Sequence, residues 1–475
     1  MSLNISTLMI RHIPILFFLI YTLQINAQSA TQEIKFPTTN HKGIQIAHVM
    51  EVPSKSVRLL ENPVTGNLWF TTFDGEVFEI KGLEGNSPVA EEVFNASDHG
   101  ITRLQGAVFL GDMLFLCGNI NVNENKGTKG RMVKFKLDSS GNHLMSVVFN
   151  TVEYGTNKTT FDHGWNALEI SPDKNFIYVN TGARTDHGEV QDNDGAYPHA
   201  RDNALTAKIF KFPIDAENLL LPNDENELKE SGYIYAEGIR NAYDMAFDQN
   251  GNLFAVSNSG DYDHPEDMFW VREGHHYGFP WIMGGIENPQ QYPGWEPDPK
   301  TDPFINPFAH AWLVKYFHND PEFPRIPEGI KFSPGVQNLG PDANEYRDPA
   351  TGKVVDGDIT GVAVSTFTAH SSPLGLFFDN EEKLGGEYKG SGFVIRYGGG
   401  PRSSLSKPFT TQGKDLMHLK LVYNAGMDNY SVETTSVVQG FSSPTDAVLK
   451  DNLVYIIEYG GREGGNLWKI TLPVD

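Results

Sequence analysis

The sequence has a single cysteine, Cys117, among its 475 residues. No internal disulfide can form, so packing rather than covalent cross-links must hold the fold together. Cys117 ends an apolar run of the kind found in strands, and we expect it to be a small buried side chain.

Basic residues are also scarce. The sequence has 37 Lys and Arg and 60 Asp and Glu, which gives a formal net charge of −23. An acidic surface repels phosphate backbones, which argues against a nucleic-acid partner and against electrostatic docking on anionic lipid. The charge is compatible with a soluble exported protein and with bound calcium.

Long apolar runs are absent except near the N terminus, where residues 13–21 follow Arg11 and His12. This run is shorter than the roughly 20 residues that span a bilayer. We therefore expect residues 1–27 to be a signal peptide cleaved after Ala27, rather than a membrane anchor. The sequence predicts an exported protein, periplasmic or extracellular, with no integral membrane segment.

Helical heptads are absent as well. Instead, a short apolar strand, a turn rich in Gly, Asp and Asn, and a second strand recur six times. The clearest copy has strands at 243–247 and 253–256 around the turn 248–252. Such repeats form a propeller or a β-solenoid. The irregular units and long insertions favour the propeller, whose closed ring leaves only short edges exposed.

We therefore predict an all-β fold, a six-bladed β-propeller spanning residues 45–475. The strand near residues 46–49 is expected to complete the last blade and latch the ring. Residues 275–372 are rich in Pro, Asp and aromatic side chains. We predict that they form a long loop insertion over one face rather than a separate domain, because such a length without repeat strands is usually functional.

An ordered set of short motifs accompanies the repeats. They are DHGWNAL at 162–168, GIRNAYDMAF at 238–247, Gly260, Glu266-Asp267, YGFPW at 277–281, GPDA at 340–343 and HSSPLGL at 370–376. Each is weak alone, but in this order they resemble the glucose/sorbosone dehydrogenase family from about residue 45 to the end. The resemblance implies pyrroloquinoline quinone (PQQ) and Ca²⁺ at a central funnel. It also implies oxidation of a sugar or aldose by hydride transfer, with a quinone or cytochrome as electron acceptor.

Three residues are the candidates for the chemistry. Removing a hydroxyl proton requires a base, and a histidine can serve near neutral pH; the resemblance assigns this role to His163. Arg240 can stabilise negative charge on a reduced quinone oxygen, and Asn241 can hydrogen-bond the quinone edge. The alternatives are that His163 satisfies loop backbone groups and that Arg240 forms an ion pair between blades.

The resemblance further assigns calcium to the loop that begins at Gly260, through backbone carbonyls and through Asp261 or Asp267. Clustered carboxylates suit Ca²⁺, and the alternative is a solvated acidic loop. Where relatives carry cations for the carboxylates of PQQ, the stretches 397–400 and 442–446 have none. Arg396 and Arg402 flank the first stretch, and Arg462 follows a strand of the last repeat. These arginines can substitute, since arginine pairs carboxylates bidentately. Thr368 completes the predicted cofactor contacts.

Two further functions stay open at this point. One is a cofactor-free propeller that binds carbohydrate or a protein, which the missing cations favour. The other is a polysaccharide lyase or hydrolase with His163, Arg240 and Tyr243 as acid/base groups.

Overall fold

Six twisted sheets surround a common axis in the computed structural model of the chain. The structure describes residues 34–85, 87–124, 126–138, 143–156, 159–191, 201–398, 408–411, 413–462 and 464–474. The ring belongs to the unit Phe36–Asp475. The predicted signal peptide, residues 1–27, lies outside the described residues.

Blades 1 to 3 follow one another along the chain. Blade 1 contains strands Ser56–Glu61, Leu68–Thr72, Val77–Lys81 and Val89–Phe94, and helix Ala96–His99 follows it. Blade 2 contains Arg103–Leu110, Met113–Val122, Gly127–Leu137 and His143–Thr151, with Tyr154–Gly155 and Leu219–Leu221 at its edges. Blade 3 contains Trp165–Ile170, Phe176–Thr181, Lys208–Pro213, Ile234–Glu237 and His275–His276, with helix Glu225–Ser231 beside it.

Blades 4 to 6 complete the ring. Blade 4 contains Ala242–Phe247, Leu253–Ser257 and Asp267–Val271. Blade 5 contains Pro373–Phe378, Gly392–Arg396, Asp415–Asn424, Asn429–Gln439 and the edge strand Gln337–Pro341, with the 3-10 turn Gly386–Tyr388. Blade 6 contains Pro444–Lys450, Leu453–Glu458, Gly465–Thr471 and the N-terminal strand Gln45–Val52.

Local sequence explains the hairpins within the blades. In blade 4 the carboxylate of Asp248 accepts hydrogen bonds from the backbone N–H groups of Asn250 and Asn252. Gly251 in the same turn has a φ of 79°, which favours glycine. The strand Leu253–Ser257 that follows is buried along its whole length, so each blade presents both faces to its neighbours. The predicted six-bladed propeller is confirmed.

The ring is closed by strands from opposite ends of the chain. Gln45–Val52 pairs antiparallel with Gly465–Thr471, so the N-terminal strand is the outermost strand of blade 6. The prediction that residues 46–49 latch the ring is confirmed. Apolar cores lie between adjacent blades, for example around Trp165 and Phe210 between blades 2 and 3.

The innermost strand of every blade has a register shift close to its start. The shifts fall at Ser56/Arg58, Leu104/Gly106, Trp165/Leu168, Ala242/Asp244, Pro373/Gly375 and Pro444/Asp446. Bulges of this kind turn a side chain out of the regular alternation and are common beside active sites. The six starts define one end of the ring, which we call the rim.

The side chain of Arg58 lies near the axis of the ring, just below the rim. Its guanidinium donates to the carbonyl oxygens of Gln105 in blade 2, at 2.6 Å, and of Tyr243 in blade 4. It also lies 3.5 Å from the carboxylate of Asp244 and 4.0 Å from that of Asp446 in blade 6. One buried cation therefore links four blades.

Part of the insertion at 275–372 contacts the loop that follows the second strand of blade 4, where the backbone N–H of Ala311 donates to the carboxylate of Asp261. The insertion holds the small hairpins Ile282–Met283 with Ile286–Glu287 and Glu345–Arg347 with Val354–Asp356, the 3-10 turn Pro289–Gln291, and helices His310–Leu313 and Gly357–Thr360. The sequence indicated no strands that join the repeats here, and that was wrong at two places. Gln337–Pro341 adds a parallel edge strand to blade 5, and His275–His276 adds one to blade 3. Within the described residues, no helix is long and apolar enough to cross a bilayer.

Candidate active site

His163 lies on the rim, in the turn that leads into the innermost strand of blade 3. Its Nδ1 is 3.1 Å from the carbonyl oxygen of Ala183, and a carbonyl can only accept, so Nδ1 carries the proton. Nε2 then has a free lone pair and has no hydrogen-bond partner among the described residues. Burial, and next the positive charge of Arg240, lower the pKa of His163 to about 3. The ring is therefore neutral at physiological pH.

Two small residues join His163 to the Arg240-Asn241 pair. The backbone N–H of Ala183 donates to the carbonyl of Arg240 at 2.6 Å, while its own carbonyl also accepts from the backbone N–H of His163 at 3.0 Å. A Cβ on Gly182 would lie 2.5 Å from Cβ of His163 and 2.7 Å from Oδ1 of Asn241. The absence of a side chain at 182 thus lets the three predicted residues come together.

Arg240 forms the ion pair that sequence reasoning left open as an alternative. Its Nη2 lies 3.0 Å from Oδ1 of Asp186, and its Nε donates to the carbonyl of the same residue at 2.9 Å. Nη1 donates to the carbonyls of Asn258 and Ser259. Burial opposes ionisation of Asp186, but His187 and Arg240 together hold its pKa below the usual value. Four of the five N–H donors of Arg240 are used, which leaves one on Nη2.

Asn241 belongs to a chain of buried amides. Its Oδ1 accepts from Nδ2 of Asn166 at 2.9 Å, and its Nδ2 donates to Oδ1 of Asn258 at 3.2 Å. Asn166 in turn accepts from Asn180. The network spans blades 3 and 4 and fixes the orientation of the Asn241 amide.

Gln105 is a site residue that sequence reasoning missed. It occupies the bulge in the innermost strand of blade 2 and is only 8% exposed. Within the described residues its Nε2 has no hydrogen-bond partner, although it lies 3.1 Å from the position of a Cβ on Gly164, the residue after His163. A buried amide without an acceptor is costly, and this donor lies beside the loop that carries His163. The only sequence signal is a Gln-Gly pair at the start of a repeat strand.

The predicted contacts for the cofactor carboxylates lie in blade 5. Arg396 is buried and already paired with Asp415, at 2.9 Å from Nε and 2.5 Å from Nη2. Thr368 shares a hydrogen bond of 2.6 Å with the hydroxyl of Thr411, whose carbonyl lies 3.4 Å from Nη1 of Arg396. Arg402 lies outside the described residues. The charge of Arg396 is thus matched within the protein.

The acidic loop predicted to hold calcium uses its carboxylates internally. Asp261 accepts from the backbone N–H of Ala311 at 2.7 Å. Asp267 accepts from the hydroxyl of Ser365 at 2.7 Å and from the N–H of Gly284 at 2.8 Å. Burial raises the pKa of both carboxyl groups, that of Asp267 to about 7. Among the described residues, no cluster of three or more His, Cys, Asp or Glu is arranged to hold a metal ion.

The carbonyl oxygen of Gly260 differs from these carboxylates. It accepts no hydrogen bond within the described part of the chain. Gly260 packs tightly on Asp186, since a Cβ there would lie 2.5 Å from Oδ1 of Asp186. This carbonyl lies beside Asp186, the partner of Arg240.

Comparison with known proteins rests on structure alone. No protein-family model matches the chain, and no curated protein sequence matches it significantly. The apo form of the soluble aldose sugar dehydrogenase of Escherichia coli aligns over 90% of this chain and 99% of its own, with a TM-score of 0.54 and 15% identity. The PQQ-bound aldose sugar dehydrogenase of Streptomyces coelicolor aligns over 92% and 99%, with 0.50 and 13%.

A third structure is the holo form of the PQQ domain of pyranose dehydrogenase from Coprinopsis cinerea. It covers 92% of this chain and 97% of its own, with a TM-score of 0.52 and 13% identity. This chain has the fold of the soluble sugar dehydrogenases. The resemblance drawn from the motifs is confirmed at that level.

The close approach at Gly182 gives a first prediction. Gly182→Ala must push His163 and Asn241 apart, so we expect a loss of about 1–3 kcal/mol in the free energy of unfolding, as for an overpacked site. Gly461→Ala is the matched control, because a Cβ there meets nothing within 4 Å and should change stability by less than about 0.5 kcal/mol. Urea unfolding measures both, and equal stability of the two variants would contradict the described approach.

Proposed function

We propose that this protein is an exported oxidoreductase that oxidises a hydroxyl group of a sugar or aldose, with PQQ as the hydride acceptor and His163 as the general base. The observation that carries the proposal is the state of His163. The ring is neutral and anchored through Nδ1 on Ala183, and its Nε2 has no hydrogen-bond partner among the described residues. The coarse function, a sugar oxidoreductase, is also that named for the proteins that share the fold.

The residues at the rim fit the quinone end of PQQ. Arg240 retains one N–H donor and its positive charge, and the oriented amide of Asn241 lies next to it. The unpartnered Nε2 of Gln105 is a further donor on the His163 side. The bound quinone would supply the hydride acceptor. Because Arg396 is paired with Asp415, the carboxylate end would have to rely on other groups, with Arg402 and Arg462 as the predicted ones.

The chain's own contribution to the reaction is proton transfer and positioning. Nε2 of His163 accepts the hydroxyl proton as the sugar carbon loses its hydride, so that the C–O bond becomes a carbonyl. The carbonyl of Ala183 fixes the orientation of the ring, which holds Nε2 in place for the transfer of the proton.

A cofactor-free binding module is the second candidate function. The buried Arg396–Asp415 pair favours it, because this arginine, predicted to meet the cofactor carboxylates, has its own counter-ion. A lyase or hydrolase has less support. Tyr243, its proposed third group, packs against the guanidinium of Arg58 at 4.4 Å, and burial raises its pKa to about 12.

Replacing the base tests the enzyme proposal. We expect His163→Ala, loaded with PQQ, to reduce an artificial electron acceptor about 10²–10⁴-fold more slowly than the unaltered protein when aldoses are supplied. The folded state should lose no more than about 1.5 kcal/mol, since one hydrogen bond to a carbonyl is removed. His48→Ala, on the outermost strand of blade 6, is the control.

Two results would count against the role of His163. Turnover by His163→Ala at the rate of the control would exclude it as the base. Unfolding of the variant, with the control intact, would make the histidine structural.

Calcium at Gly260 is tested separately. If the Gly260 carbonyl holds Ca²⁺, chelation should lower the melting temperature, because a ligand at a hundredfold excess over its Kd stabilises the folded state by about 2.7 kcal/mol. Ca²⁺ should restore the melting temperature better than Mg²⁺, which demands tighter octahedral geometry. A melting curve indifferent to both chelator and Ca²⁺ would leave the loop without a metal.

A further inference from the structure

Arg103 is a cation at the rim that the proposed reaction does not use. It begins the innermost strand of blade 2, and its Nη2 donates to the carbonyl oxygen of Asp162 at 3.2 Å. Asp162 immediately precedes His163, so the guanidinium lies beside the loop that carries the proposed base. The guanidinium also lies over the ring of Phe73, 5.5 Å from its centroid. Blade 1 and blade 3 thus hold it from two sides.

Unlike its neighbours, Arg103 has no carboxylate partner among the described residues. Arg240 pairs with Asp186, Arg396 with Asp415, and Arg184 lies 3.6 Å from Asp162. Arg131 in the same blade also lacks a carboxylate partner in the described part of the chain, but it donates to the carbonyl of His99 and to the side chain of Asn150. The bond to the Asp162 carbonyl uses one of the five N–H donors of Arg103.

A second unused donor lies two residues further along the same strand. In the part of the chain that the structure describes, the buried Nε2 of Gln105 has no acceptor, and it lies on the His163 side of blade 2. Arg103 and Gln105 therefore offer unused N–H groups beside one loop, and both lie on the blade next to the one that carries His163. A ligand that satisfied both would have several acceptor oxygens and a negative charge.

We propose that Arg103 is a specificity-determining residue and that the substrate is a sugar carrying a carboxylate, such as a uronic acid. This inference rests on the proposed oxidation at His163. The planar guanidinium pairs a carboxylate with two parallel N–H···O bonds, and one unpaired cation matches one negative charge. The sugar hydroxyls supply acceptors for Gln105, and the anchored carboxylate holds the ring beside Nε2 of His163.

The expected effect follows from the charge of the substrate. Galacturonate and its methyl ester have the same sugar ring and differ in the charge at C6. The ratio of their kcat/KM values therefore measures the effect of that charge. We expect the PQQ-loaded protein to favour galacturonate, and Arg103→Gln to lower the ratio about 10–100-fold, the range for a charge-assisted hydrogen-bonded pair. Arg103→Lys, which keeps the charge, should retain part of the preference, and higher salt should reduce it.

Arg325→Gln is the matched control, because it removes the same charge from an exposed position and should leave the ratio unchanged. A fall in kcat/KM that is equal for both sugars in Arg103→Gln would overturn the inference, since Arg103 would then only support the His163 loop. A preference of the unaltered protein for the ester would overturn it as well.

Calorimetric titration of the full chain with galacturonate separates this inference from the proposed function. If the protein oxidises neither sugar but binds galacturonate, and Arg103→Gln abolishes that binding, the carboxylate-binding role of Arg103 is supported and the proposed oxidation is contradicted. If the protein oxidises the ester but does not measurably bind galacturonate, the role of Arg103 is contradicted and the proposed oxidation is retained.

Discussion

The candidate site depends on a register shift that recurs near the start of all six innermost strands. Each shift turns one side chain out of the strand alternation at the same end of the ring. Gln105 occupies the shift in blade 2, and Asn166 lies within that of blade 3. The N-terminal strand completes blade 6 and closes the ring. These side chains therefore lie at the same end of the ring.

The buried charged groups of the proposed quinone site are paired within the protein. Arg240 and Arg396 have carboxylate partners, and the amide of Asn241 is bonded at both ends. Among the described residues, Nε2 of Gln105 has no acceptor and Arg103 has no carboxylate partner. Both lie beside the loop that carries His163.

The sequence predicts the parts of the fold that local patterns determine. Alternating apolar strands and Asx turns such as that of Asp248 mark the blades, whereas the parallel edge strand Gln337–Pro341 has no local signal because its partner lies about 90 residues away. The grouping of His163, Arg240 and Asn241 followed from motif order. The Asp186 partner of Arg240 did not, because packing between distant segments brings it there.

A single-turnover experiment tests most directly whether a quinone held at this rim oxidises a sugar. The protein is loaded with one equivalent of PQQ without oxygen or any other acceptor, and the absorbance of the bound quinone is followed as a sugar is added. We expect at least one sugar among neutral aldoses and uronic acids to reduce the bound quinone stoichiometrically. A protein that binds PQQ, yet whose quinone spectrum none of these sugars changes, would contradict this expectation.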